Sequence, residues 1–70
     1  MTLKINTMYE TRGGYLVPRS HFKDEKGVSY AIIERIVKIG TGYKVQHVTM
    51  IRKDIKKELG IAKNERVEIE

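Results

Sequence analysis

Lysine and arginine are the residues of this sequence whose type and spacing point to chemistry. Seven of them lie between Arg35 and Lys57, where Asp54 is the only acidic residue, although the net charge of the whole chain is only +5. Such a cationic block on a small domain is typical of proteins that neutralise the phosphates of a nucleic acid. The alternative interpretation is a basic face that is merely solvated.

Six members of the block are the candidate nucleic-acid contacts, and we expect the block to lie on one face of the protein. They are Arg35, Lys38, Lys44, Arg52, Lys53 and Lys56. The last three lie on a predicted helix, and a helix N-terminus receives phosphates well because its backbone N–H groups are free. Arg35 or Arg52 could read guanine edges, and the sequence does not separate base readout from phosphate contact.

No other set of side chains indicates a reaction or a metal. The chain has no cysteine and only two histidines, and His21 has no carboxylate or histidine at metal-ligand spacing. Catalysis needs a nucleophile with a base, or paired acids, in a pocket, and a thin core leaves little room for one. We therefore expect no enzymatic activity, no metal and no cofactor.

The length of the chain indicates a second subunit. A single domain of 70 residues buries only about 60% of the surface that its unfolded chain exposes. Domains of this size usually add disulfides, a metal or a partner subunit, and the composition argues against the first two. We expect a homodimer. Because no apolar run approaches the roughly 18 to 20 residues of a membrane span and the N-terminus has no apolar signal core, we also expect a cytoplasmic protein without membrane contact.

A β-hairpin and a short helix would position the candidate contacts. Residues 28–39 favour a strand because their isoleucines and valines are β-branched, although the same spacing also fits an amphipathic helix. As a strand this segment is apolar on both faces, with Val28, Tyr30, Ile32 and Ile36 on one and Ala31, Ile33, Val37 and Ile39 on the other. That pattern requires a bulge near Glu34 and Arg35, or a partner subunit that supplies the second cover.

The rest of the chain predicts further short elements. Residues 40–42 reverse the chain into a second strand over residues 43–51. A helix follows, with apolar residues every four positions from Ile51 and a Schellman stop at Gly60. Residues 63–65 form a turn, and Val67 and Ile69 belong to a closing strand.

The N-terminal part is less strongly patterned. Residues 1–13 predict an edge strand or a flexible arm of the single domain 1–70. Residues 15–17 predict a short strand that ends at Pro18, because proline lacks the N–H that a central ladder needs. Residues 20–27 predict a turn or one helical turn, with Ser20 as N-cap and Gly27 as C-terminal stop.

The segment from Ile51 to Ile69 resembles a known family. It combines a short basic helix ending in Leu-Gly-Ile, a polar turn and a Val-Glu-Ile strand, and the segment from Gly14 to Pro18 looks like a strand that runs into a proline. These features are similar to the swapped-hairpin AbrB, SpoVT and MazE family of bacterial and archaeal DNA-binding proteins. The sequence departs from that pattern at Arg52, where the family usually has proline, and at Asn64-Glu65, which replaces its frequent Gly-Asp.

The resemblance implies a DNA-binding homodimer in which basic residues of the hairpin, here Arg35, Lys38 and Lys44, contact the DNA. We therefore expect a mainly β protein with one short helix (α+β), built as a small barrel or as a swapped-hairpin-like homodimer. The predicted function is that of a non-enzymatic DNA-binding transcriptional regulator or antitoxin-like factor. The alternative is a small β-barrel interaction module, for example of a phage or mobile element, that binds a host or toxin protein.

Overall fold

The computed structural model describes all 70 residues, which form six strands and one helix. In chain order these are β1 (Thr2–Leu3), β2 (Tyr9–Thr11), β3 (Gly14–Lys23), β4 (Ser29–Ile39), β5 (Gly42–Ile51), α1 (Arg52–Leu59) and β6 (Glu68–Ile69). The main sheet is antiparallel with the order β2-β3-β4-β5, and β1 pairs with β6 in parallel. The predicted class, mainly β with one short helix, is confirmed. Because β2 and β5 are free edges, the sheet is open and does not close into the expected barrel.

The β4 segment is a strand, as its β-branched residues predict, and its two faces are those expected from the sequence. Ile33 is fully buried on the face that packs against α1, whereas the neighbouring Ile32 is 38% exposed on the opposite face. We call the first the core face and the second the open face. Nothing within the chain packs as a layer over the open face, so half of the apolar pattern of β4 stays in contact with solvent.

The hairpin between β4 and β5 is also as predicted. Ile39 pairs with Gly42, which leaves Gly40 and Thr41 as a two-residue loop. Gly40 has φ of +57° and Thr41 has an ordinary φ, the pattern of a type II′ turn, which glycine adopts without steric cost. The turn fixes the register of the whole hairpin, from Ile39 opposite Gly42 to Tyr30 opposite Ile51.

The hydrophobic core lies between the core face, α1 and the β1–β6 pair. Its eight buried residues are Leu3, Leu16, Ala31, Ile33, Met50, Ile55, Val67 and Ile69. Helix α1 contributes Ile55, its only buried side chain. The terminal strands close the core because the backbone N–H of Glu70 donates to Leu3 O at 2.9 Å and that of Glu68 to Met1 O at 3.0 Å. The predicted closing strand is therefore confirmed.

Helix α1 ends in the predicted Schellman motif. Gly60 adopts a left-handed conformation with φ of +70°, and the N–H of Ile61 donates to Lys56 O at 2.9 Å. The N–H of Gly60 reaches Lys57 O at 3.4 Å. These two bonds are the pair that defines the motif.

Two predictions about the N-terminal half are wrong. Pro18 does not end its strand, because β3 continues to Lys23. No strand pairs with the outer side of β3 beyond Leu16, so the missing N–H of proline costs no ladder bond there. Ser20 caps no helix; the turn lies later, where the Asp24 carboxylate accepts from the N–H groups of Lys26 and Val28, both at 2.9 Å.

The expected β-bulge is on β3 and not on β4 near Glu34 and Arg35. Pro18 pairs with Ile33 and Ser20 pairs with Ile32, which leaves Arg19 without a partner on β4. The extra residue reverses the alternation of side chains along the rest of β3. As a result Phe22 lies on the open face, and His21 and Lys23 lie on the core face.

Residues Tyr9–Thr11 of the N-terminal segment form an edge strand of the main sheet. Tyr9 pairs with Leu16 and Thr11 pairs with Gly14, so β2 extends the sheet on one side. The segment before it is held by the backbone N–H of Asn6, which donates to Pro18 O at 2.7 Å.

Candidate nucleic-acid interface

The cationic block does not lie on one face, and this expectation is wrong. Lys38 pairs with Tyr43 near the hairpin turn, whereas Ile51, the residue before Arg52, pairs with Tyr30 at the other end of β4. Eight residues of an antiparallel strand span about 27 Å, so the hairpin cations and the helix cations are far apart. The registers also place Lys38 and Lys44 on opposite faces of the sheet, because Lys44 pairs with Val37.

Arg35 is neutralised within the chain. Its Nη2 lies 2.5 Å from Glu58 Oε1 on α1, and its Nη1 donates to Gln46 Oε1 on β5 at 3.3 Å. The two partners of the ion pair are about one-third exposed. Arg35 thus links α1 to β4 and β5. Because its charge is paired with Glu58, it is not free to contact DNA as expected.

The helix cations differ in availability. Arg52 is half-buried at the first position of α1, its Nη1 is buried without a hydrogen-bond partner, and burial lowers the pKa of its guanidinium. Lys56 Nζ donates to Lys63 O at 3.2 Å. Lys53 is exposed, and its side chain makes neither an ion pair nor a hydrogen bond. Of the three predicted helix contacts, Lys53 alone is both exposed and without an intrachain partner.

Arg52 and Lys56 line an open groove of about 720 Å³ with Lys23 and Arg66, two cations outside the predicted block. Lys23 reaches this groove because of the bulge in β3. Glu68 and Glu70 line the same groove, and Glu68 pairs with Arg66 at 3.0 Å. Arg66 is ion-paired, Lys56 is hydrogen-bonded and Arg52 is half-buried, so Lys23 is the only one of these four cations that is both exposed and without an intrachain partner. This groove is therefore not the strongest candidate for an anion.

The hairpin end of the sheet carries three exposed cations without an ion pair or a side-chain hydrogen bond: Arg12, Lys38 and Lys44. The turns before β3 and after β4 meet here, since the N–H of Lys38 donates to Gly13 O at 2.9 Å. Arg12 and Lys38 line a shallow groove of about 540 Å³ whose only acidic residue is Glu10.

Two tyrosines complete this end of the molecule. Tyr15 and Tyr43 lie on the open face with ring centroids 6.3 Å apart, and both line the groove. Lys44 lies at the same end but projects from the core face. We call Arg12, Lys38, Lys44 and the two tyrosines, which surround the end of the hairpin on both faces of the sheet, the hairpin-tip surface. The charge pattern of the sequence does not point to Arg12, because this residue lies outside the block. The only feature of the sequence that marks Arg12 is its position directly before the turn at Gly13-Gly14. The pairing of β2 with β3 then brings it beside Lys38.

The open face is mainly apolar and aromatic. It carries four of the five aromatic residues of the chain, Tyr15, Phe22, Tyr30 and Tyr43, together with Val17, Ile32, Ile36 and Val45. Phe22 and Tyr30 stack with ring centroids 5.4 Å apart. Val45 is 54% exposed.

The charges at the middle of the open face satisfy one another. Glu34 Oε2 accepts from Arg19 at 2.6 Å, and Glu34 Oε1 lies 3.3 Å from His47 Nε2. The hydrogen bond from Arg19 is the main cause that holds the pKa of Glu34 below its ordinary value of 4.5, and His47 adds to the effect. The ionised carboxylate is therefore the favoured form of Glu34 at neutral pH.

A scan against protein-family models, a search of curated proteins and a search of solved structures each found no match to this chain. The resemblance to the AbrB, SpoVT and MazE family therefore stays a prediction. No helix has the length and apolar character needed to cross a membrane. No group of three or more His, Cys, Asp or Glu side chains is arranged to hold a metal ion.

Proposed function

We propose that this protein is a non-enzymatic DNA-binding protein that acts as a cytoplasmic homodimer, as a transcriptional regulator or an antitoxin-like factor. The observation that carries the proposal is the hairpin-tip surface, where Arg12, Lys38 and Lys44 are exposed and unpaired. Cations that have no partner in the chain can neutralise phosphates at no cost to the fold. Arg35, Arg52 and Lys56 are engaged or packed, so we assign the DNA contacts to the hairpin tip first.

The expected strength of the salt dependence follows from the number of free cations. A dimer in which each chain contributes three has six phosphate contacts, and the logarithm of its affinity for duplex DNA falls with the logarithm of salt concentration with a slope of about −5. Raising the salt from about 50 to 200 mM would then weaken binding on the order of 10³-fold.

Fluorescence anisotropy on a random-sequence duplex, measured across a salt series, tests the assignment. The double variant Lys38→Gln with Lys44→Gln removes four of the six contacts of a dimer, and we expect the slope to fall by about 4. The matched control is Lys26→Gln with Lys63→Gln, which makes the same change in charge at exposed lysines elsewhere. We expect its slope to equal that of the wild type. An equal loss in both double variants would show that only net charge matters and would overturn the assignment.

The open face favours one second candidate function. A protein-interaction module needs an exposed apolar surface, and here Phe22, Ile32 and Val45 supply one without any contribution from DNA. In that case a host or toxin protein covers the face. A chain that is monomeric, ignores DNA at low salt and binds one defined protein through these residues would favour this candidate over the first.

A further inference from the structure

The open face exposes several large apolar side chains side by side. Phe22, Ile32, Tyr43 and Val45 are between 38% and 57% exposed, and all four project from the same side of the sheet. Val17 on this face is only 4% exposed, yet it does not belong to the core cluster, because it lies on the other side of the sheet. An antiparallel sheet with one apolar side exposed requires a second layer.

The size of the face suits a second sheet. The three long strands, with ten or eleven residues each, give a footprint of about 14 by 33 Å at ordinary strand spacing and rise. Two such flat faces in contact bury on the order of 1,000 Å², and the projecting side chains add to this area. Specific interfaces begin at about this size. The chain itself has only ten buried residues, so a second core between two sheets adds substantially to a thin first one.

The charges of the open face indicate which kind of molecule covers it. At its centre Arg19 and Glu34 neutralise each other, and His47 completes the group, so no unpaired charge is buried at the middle of the face when it is covered. If a nucleic acid covered the face, its phosphates would meet no free cation at the middle, because Lys38 lies at the hairpin-tip end. A second copy brings the same apolar surface and the same balanced centre, which makes the face self-complementary.

We propose that two copies of this chain pack face to face through their open faces as a two-sheet sandwich, with a twofold axis that runs along the direction of β4. This direction places both hairpin tips at the same end, so that the six cations of the two chains, Arg12, Lys38 and Lys44 of each, gather at one end of the dimer. The choice of direction rests on the proposed function, whereas the choice of face does not.

Sedimentation equilibrium tests the face. We expect the wild type to have twice the 8.1 kDa mass of the chain. Val45→Glu places a carboxylate in the interface twice, and we expect the dissociation constant of the dimer to rise on the order of 100-fold or more, because the buried charges have no partner. Ile39→Glu is the matched control: Ile39 is 55% exposed on the same hairpin but projects from the core face. We expect it to remain dimeric.

Cross-linking tests the direction of the axis and does not depend on a disruptive variant. The chain has no cysteine, so Ile36→Cys introduces a single thiol on the open face. With the axis along β4, the introduced thiol of each chain lies opposite that of its copy, and we expect a short bis-maleimide to give a covalent dimer. The control is Val37→Cys, half-buried like Ile36 but on the core face, which should give none.

The outcomes separate this inference from the proposed function. A monomeric wild type, or a Val45→Glu variant that dimerises as well as Ile39→Glu, overturns the interface, even where the protein still binds DNA. Cross-linking only in a mixture of Ile32→Cys and Ile36→Cys chains overturns the direction of the axis, because those residues face each other when the strands run oppositely. A dimer with the expected cross-link that does not bind DNA leaves the sandwich intact and removes the proposed function.

Discussion

The substitution Gly14→Ala is expected to destabilise the protein severely. Gly14 opens β3 with φ of +150°, and a Cβ added to it would fall on the carbonyl oxygen of Ile36 and within 3.3 Å of the Cα of Val37. These are backbone atoms of the neighbouring strand, so they cannot rotate away as a side chain would. Overpacking costs about 1–3 kcal/mol, and the disfavoured φ adds about 1–2 kcal/mol. We expect a total loss of about 3 kcal/mol in the free energy of unfolding.

Such a loss is large for a chain of this length, because small domains are stable by only about 0.05–0.15 kcal/mol per residue. At about 4–8 °C for each kcal/mol, the melting temperature should fall by about 12 °C or more. The measurement is thermal unfolding by circular dichroism at one fixed protein concentration, since a dimer makes the midpoint depend on concentration.

Gly13→Ala is the matched control for this prediction. It adds the same methyl group one residue earlier, where nothing lies within 4 Å of the new Cβ and the backbone φ is not positive. Its free energy of unfolding should change by no more than about 0.5 kcal/mol. A Gly14→Ala variant that melts within a few degrees of Gly13→Ala would refute the close approach of β3 to β4 and, with it, the geometry of the hairpin tip.

Three further predictions concern the core and the ion pairs. Ile55→Ala should cost about 2–5 kcal/mol in urea unfolding, because it removes the fully buried side chain that anchors α1; a cost near zero would contradict the packing of the helix. A double-mutant cycle on Arg35 and Glu58 should give a coupling of about 0.2–1 kcal/mol, because both side chains are partly exposed, and Arg35→Gln should leave the DNA salt slope unchanged. Glu34→Gln tests the lowered pKa: the stabilisation that Arg19 gives to the Glu34 carboxylate is complete above pH 4.5 and is lost as the pH falls through the lowered pKa. The difference in melting temperature between wild type and Glu34→Gln should therefore shrink on acidification. A difference that grows would contradict the lowered pKa of Glu34.

The elements that the sequence predicts correctly depend on local chemistry. The hairpin follows from two β-branched runs around a glycine turn at Gly40, and the end of α1 follows from the left-handed conformation that Gly60 adopts. The two-sided pattern of β4 also predicts an uncovered face. In each case the information lies within about ten residues, so no tertiary contact is needed to reveal it.

The features that the sequence did not reveal depend on which strand lies beside which. Pro18 interrupts a strand only where its N–H is needed, and that depends on how far β2 extends along β3. Arg35 belongs to a cationic block in the sequence, but the packing of α1 brings Glu58 to its guanidinium. Arg12 lies outside the block and joins Lys38 only through the sheet. A count of charges along the chain cannot separate engaged cations from free ones.

Binding of DNA by the hairpin tip can be measured as the affinity of the wild-type protein for a random duplex at about 50 and 200 mM salt. In the proposed dimer, the six free cations of the two hairpin tips predict tight binding in the first buffer and a loss on the order of 10³-fold in the second. No binding at the lower salt concentration, or an affinity that is equal in both buffers, would contradict a role of the hairpin tip in binding the phosphates of DNA.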